Sequence, residues 1–147
     1  MPQFTPIPAY DTRAGKMYRL TAGGILSTGA SGTLTITPRI GTSIAGVTLG
    51  ASGAQTVPVS VTNVAWFMQA LLVIRTVGAA GTNSTAMLQG VFSADGAIAT
   101  AGNAFVVAFG GTSASFDASI AQGLSIGWTL SVAGSCTPTV IAWQSLN

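Results

Sequence analysis

Carboxylates and thiols, the side chains that most often supply acids, bases, nucleophiles and metal ligands, occur at only four positions: Asp11, Asp95, Asp117 and Cys136. The chain of 147 residues has no histidine and no glutamate. Without an imidazole, a serine or cysteine nucleophile has no ordinary general base, and one cysteine without histidine cannot build a zinc site. Asp95 and Asp117 are the two carboxylates whose pairing would suit glycoside hydrolysis. Asp95 precedes Gly96, a turn signal, and Asp117 follows a stretch rich in Gly and Ser, so both read as turn or capping residues. The Gly110-Gly111 pair and the glycines at 78 and 81 are followed by neither the lysine nor the helix of a phosphate loop, and read as loop glycines. The expectation is a chain with no catalytic residues, no cofactor and no metal.

The remaining charges are equally sparse. Arg13, Lys16, Arg19, Arg39 and Arg75 bring the charged total to 5% and the net charge to +2, against about 25% charged in an ordinary globular domain. A net +2 is too weak a field to hold nucleic acid, so no nucleic-acid partner is expected. With 48% hydrophobic residues, much of the surface has to be hydrocarbon, Ser, Thr and Gly. The longest apolar run, 64–74, is interrupted by Gln69 and is well short of the roughly 20 residues of a membrane-spanning helix. Cover by other protein is the expected alternative to a membrane.

The elements that would position these residues alternate with period two. Val57, Val59 and Val61 alternate with polar residues, and Leu124, Ile126, Trp128, Leu130 and Val132 do so over nine positions. That is the signature of half-buried strands. Candidate strands cover 16–26, 33–40, 57–61, 65–77, 86–93, 104–109, 124–132 and 139–146, with turn residues between them and no capped helical pattern. The fold class is all-β: an antiparallel two-sheet, jelly-roll-like sandwich of about eight strands, occupying 13–147 as one domain. Trp66, Trp128 and Trp143 lie in apolar strands, where core packing outweighs a role in stacking on sugars.

Two features point to protein contacts. The first is the segment 1–12, where Pro2, Pro6 and Pro8 favour an extended arm with three residues per turn, which puts Phe4, Ile7 and Tyr10 on one stripe. That stripe favours a docked arm over a frayed end. Its opening also lacks the pattern of a secretory leader, so synthesis in the cytosol is expected. The second is the strand over 65–77, apolar on both faces, with Phe67, Leu71 and Val73 opposite Trp66, Met68 and Leu72. One face of such a strand needs a second cover, which a neighbouring subunit would supply. Arg75 projects from its end or meets a neighbour's carbonyls. Arg13, Lys16 and Arg19 cluster beside the arm, either as a charged strand edge or as a contact for an acidic protein surface.

Taken together, the Pro-rich start, KMYRLTAGG over 16–24, GTLTI over 32–36, WFMQALLVIRTVG over 66–78, LSIGW over 124–128 and AWQSL over 142–146 resemble small virion proteins of tailed bacteriophages, of the jelly-roll capsid-decoration or head-fibre type. The resemblance implies a structural protein of the virion, a homo-oligomer, most often a trimer, seated on the major capsid protein or another virion protein. The virion, assembled in the bacterial host cytoplasm, would be its location. A receptor- or glycan-binding module of a tail or fibre is the alternative. The resemblance carries over no catalytic residue. Because no set of ligands for a structural metal is visible, the melting temperature should be the same with and without EDTA; a loss of several degrees in the presence of chelator, measured by calorimetry, would show that an ion stabilises the fold.

Overall fold

The computed structural model describes residues 4–29, 31–95 and 104–146. Ten strands run through them: β1 (Phe4–Ile7), β2 (Met17–Thr28), β3 (Gly32–Gly41), β4 (Val47–Thr48), β5 (Gln55–Val57), β6 (Val64–Thr76), β7 (Ser84–Asp95), β8 (Ala104–Phe116), β9 (Gln122–Leu130) and β10 (Gly134–Ser145). They form two antiparallel sheets of five strands each. Sheet A has the order β1-β9-β3-β4, with β5 also on β3, and sheet B the order β10-β2-β6-β7-β8. The chain changes sheet between β1 and β2, β2 and β3, β5 and β6, β8 and β9, and β9 and β10, whereas β6, β7 and β8 form a meander within sheet B.

The expected sandwich is therefore the fold, and the alternation read from the sequence places its core. On β6, Trp66, Met68, Ala70, Leu72 and Ile74 are buried, while Ala65, Phe67, Gln69 and Leu71 between them are exposed. From sheet A, Leu34, Ile36, Ile40, Leu124 and Ile126 point into the same interior, as do Leu20, Leu26, Leu88 and Phe92 from sheet B. An aromatic stack ties the two layers together: Trp66 lies against Phe92 at 5.3 Å between ring centroids, and Trp128 of sheet A packs on Trp66 at 5.8 Å. These are the separations at which ring pairs add to plain area burial. Trp128 and Trp143 are only half-buried but pack against this core.

Some boundaries differ from the expectation, for local reasons. The strand expected over 57–61 ends at Val57, because Ser60 and Asn63 adopt left-handed backbone, with φ of 55° and 52°. The strand expected to stop at 109 continues to Phe116 through a bulge at Gly110 and Gly111, whose φ values of 93° and 89° suit glycine alone. A Cβ on Gly110 would run into the carbonyl oxygen of Leu88. Strand β4 is too short to show an alternation, and β1 was expected as an arm.

The core position of Phe92 sets a measurable contrast with the outer side of the same sheet. Phe92→Ala should lower unfolding free energy by about 3–5 kcal/mol in denaturant titrations of the dissociated chain, whereas Phe67→Ser should change that of the dissociated chain by less than about 1 kcal/mol. Equal losses from the two variants would contradict the assignment of faces.

Candidate interaction surface

The N-terminal segment folds onto its own sandwich. Strand β1 is an edge strand of sheet A, pairing Phe4 with Ser125, Thr5 with Leu124, Pro6 with Gly123 and Ile7 with Gln122; proline is tolerated there because an edge leaves half of the strand's N–H groups without ladder partners. Ile7 is 3% exposed and belongs to the core, whereas Tyr10 is 80% exposed. The single stripe expected for Phe4, Ile7 and Tyr10 is thus corrected: pairing with β9 gives the segment strand geometry in place of three residues per turn, and Ile7 and Tyr10 part company. The side chain of Phe4 lies outside the described residues.

A small polar cluster fastens the turn that follows. Tyr10 takes φ of 60°, and its N–H donates to the Ala118 carbonyl at 3.0 Å. The Asp11 carboxylate receives the Lys16 ammonium at 2.6 Å on one oxygen and the Tyr18 hydroxyl at 3.0 Å on the other. Lys16 Nζ also donates to the Asp11 backbone carbonyl at 3.0 Å and sits 5.3 Å from the Tyr18 ring centroid. Hydrogen bonds from Lys16 and Tyr18 hold the Asp11 carboxyl below the usual carboxylate range. Burial, reinforced by that carboxylate, pushes the Tyr18 phenol upward. Lys16 is buried and turned to its own domain, which corrects its expected place on an outer contact. Arg13 stays exposed.

The other predicted residues meet on the outer face of sheet B. Register puts Leu71 between Arg19 and Gln89, Gln69 between Thr21 and Val91, Phe67 between Gly23 and Ser93, and Val73 between Met17 and Met87. Arg19 and Leu71 are therefore neighbours, and Arg75 is exposed at the irregularity where β6 and β7 lose register. Cross-strand pairing adds residues that reading one strand at a time did not select. Val91, Val106 and Val140 are exposed to 47%, 59% and 63%, alongside Phe67 at 52%. Their outward parity within each candidate strand was the available signal. A groove of about 620 Å³ crosses this face, lined by Arg19, Gln69, Leu71, Gln89, Val91 and Gly111 among others.

Catalytic chemistry finds no constellation among the described residues. Asp117 Oδ1 accepts from the Ser119 N–H at 2.9 Å and from the Ser119 hydroxyl at 2.6 Å, bonds that lower its pKa and make it a turn residue. The side chain of Asp95 lies outside the described residues. Burial pushes the Cys136 thiol up to about 12, far from the thiolate a nucleophile needs. No group of three or more His, Cys, Asp or Glu that could hold a metal ion occurs among the described residues. No helix there is long and apolar enough to cross a membrane. No family model, curated protein or solved structure matches the chain.

The Asp11 cluster predicts an acid-labile attachment of the N-terminal strand. Because the folded-state pKa of Asp11 is depressed, its contribution is complete above the unfolded value of about 4. It is lost as pH falls through the lower folded value. Amide exchange of β1 and its β9 partners should accelerate over that interval, beyond the change in the rest of sheet A, and Asp11→Asn should remove the pH dependence. An unchanged profile in the variant would show that the cluster does not fasten β1.

Proposed function

We propose that this chain is a non-enzymatic structural protein that assembles with copies of itself through the outer face of sheet B, and that it serves in a phage virion as a capsid decoration or minor capsid protein. The observation that carries the assembly is the character of that face. Five strands of 12 or 13 residues span about 24 Å by about 40 Å, or about 1,000 Å². Its described charged side chains are Arg19 and Arg75, with Phe67, Leu71, Val91, Val106 and Val140 exposed around them. Thr21, Gln69, Gln89 and Ser93 lie in the same outward rows, a mixture of apolar and polar groups typical of a protein interface, and the face is larger than the roughly 800 Å² per partner of a standard one. The virion setting draws its support from the resemblance of the sequence to phage decoration and head-fibre proteins, with the major capsid protein as the further partner. Because β1 docks on its own sheet, attachment through sandwich faces is favoured over attachment through a reaching arm.

A receptor- or glycan-binding module is the second reading, and it has one observation of its own. The amides of Gln69 and Gln89 and the guanidinium of Arg19 line the groove, a polar set suited to sugar hydroxyls.

Light scattering on the purified protein tests the first reading: an oligomer is expected at micromolar concentration, and Phe67→Asp with Val91→Asp should convert it to a folded monomer. A wild-type chain that is monomeric under those conditions would refute assembly through this face.

A further inference from the structure

We infer that the copies associate head to tail, closing into a ring, with the β8–β9 turn of one copy seated in the sheet B groove of the next; this rests on the assembly reading above. Three observations exclude the simpler arrangements. A two-fold dimer with face against face must be self-complementary, yet this face is concave where the groove of about 620 Å³ crosses it, so two copies would set hollow against hollow. Its described charges are the cations Arg19 and Arg75, and a cation taken out of water needs an anion against it. Edge-to-edge extension of sheet B is opposed at both ends. Strand β8 is kinked by Gly110 and Gly111, whose region is already bonded to the loop between β4 and β5 (Gly110 N–H to Gly50 O at 3.0 Å), and β10 carries Pro138 with a register shift beside it.

The occupant has to be convex, apolar and anionic, and among the described residues the turn between β8 and β9 has that character. The turn between β8 and β9 carries Asp117, with Ile120 45% exposed beside it. The one ion pair among the described residues is Lys16–Asp11, so among them Asp117 meets no cation and Arg19 meets no carboxylate. Seating Ile120 against Leu71 and Val91 brings Asp117 to Arg19. The two surfaces differ, so the contact is heterologous; it closes into a ring of three or more copies where the rotation between copies divides a full turn, and runs on as a filament where it does not.

Native mass spectrometry and single-cysteine cross-linking test this. The wild type should appear as a ring of three or more copies. Arg19→Asp and Asp117→Arg should each weaken assembly at least tenfold, and the double variant should recover most of the loss. In a Cys136→Ser background, Val91→Cys should give no disulfide-linked pair. A monomeric wild type overturns both the assembly reading and the ring. A dimer that cross-links through Val91→Cys keeps the assembly reading and overturns the ring, as would a dimer that Asp95→Asn dissociates and Asp117→Asn does not. A ring indifferent to Asp117→Arg overturns the proposed occupant.

Discussion

Sheet B carries large apolar side chains on both sides, and the rest of the molecule is arranged around covering one of them. Its inner side is closed by sheet A: Leu34, Ile36, Ile40, Leu124 and Ile126 meet Leu20, Met68, Leu72, Leu88 and Phe92 with almost no residual exposure. At about 1.5–3 kcal/mol for each large side chain, this burial is the main force holding the layers together. The outer side repeats the apolar character on the same strands, Phe67 and Leu71 following Trp66 and Ala70 by one residue. A single sandwich has only one partner sheet to offer. The unmatched outer face is thus a direct consequence of the sequence of β6, and with only eight charged residues in the chain few groups are left to solvate it.

Within the core, shape takes precedence over polar satisfaction. The indole N–H groups of Trp66 and Trp128 are buried with no acceptor among the described residues, a cost of about 1–3 kcal/mol each. The offset lies in the contact of those same rings with each other and with Phe92. Glycine makes further room: at Gly90 a Cβ would meet the tip of the Phe109 ring, and at Gly24 it would strike the carbonyl oxygen of Thr137 on the paired strand.

The fold was legible because period two survives in the long strands: each of β2, β3, β6, β7 and β9 overlaps a segment whose alternation is visible in the sequence. What escaped was set by contacts distant in the chain. Val140 looks like an ordinary strand residue until β10 is placed at the edge of sheet B, which puts it on the same face as Phe67. Likewise, the groove draws Arg19, Gln69 and Gln89 from three strands, and no spacing within one strand encodes it. The extended conformation of residues 4–7 was anticipated, but proline content specifies only a backbone shape. Whether that shape stands free or joins a sheet depends on an open edge of β9, some 120 residues away.

Lys16 shows how the scarcity of charge bears on such readings. A cluster of three cations within seven residues suggests a common outward purpose, yet the three side chains divide among different tasks. The strand alternation turns Lys16 inward beside Tyr18 and Arg19 outward beside Leu71, while Arg13 stays on the connecting turn. Lys16 is consumed by Asp11, and the pair closes the corner between β1 and β2 with the Tyr18 hydroxyl as its third member. One of the three carboxylates in the chain is spent on this corner and Asp117 is turned to Ser119, so among the described residues the outward arginines meet no counter-ion. The same economy of charge that fastens the N-terminal strand therefore leaves the described charges of the outer face cationic, and makes the nature of its cover an electrostatic question as well as a hydrophobic one.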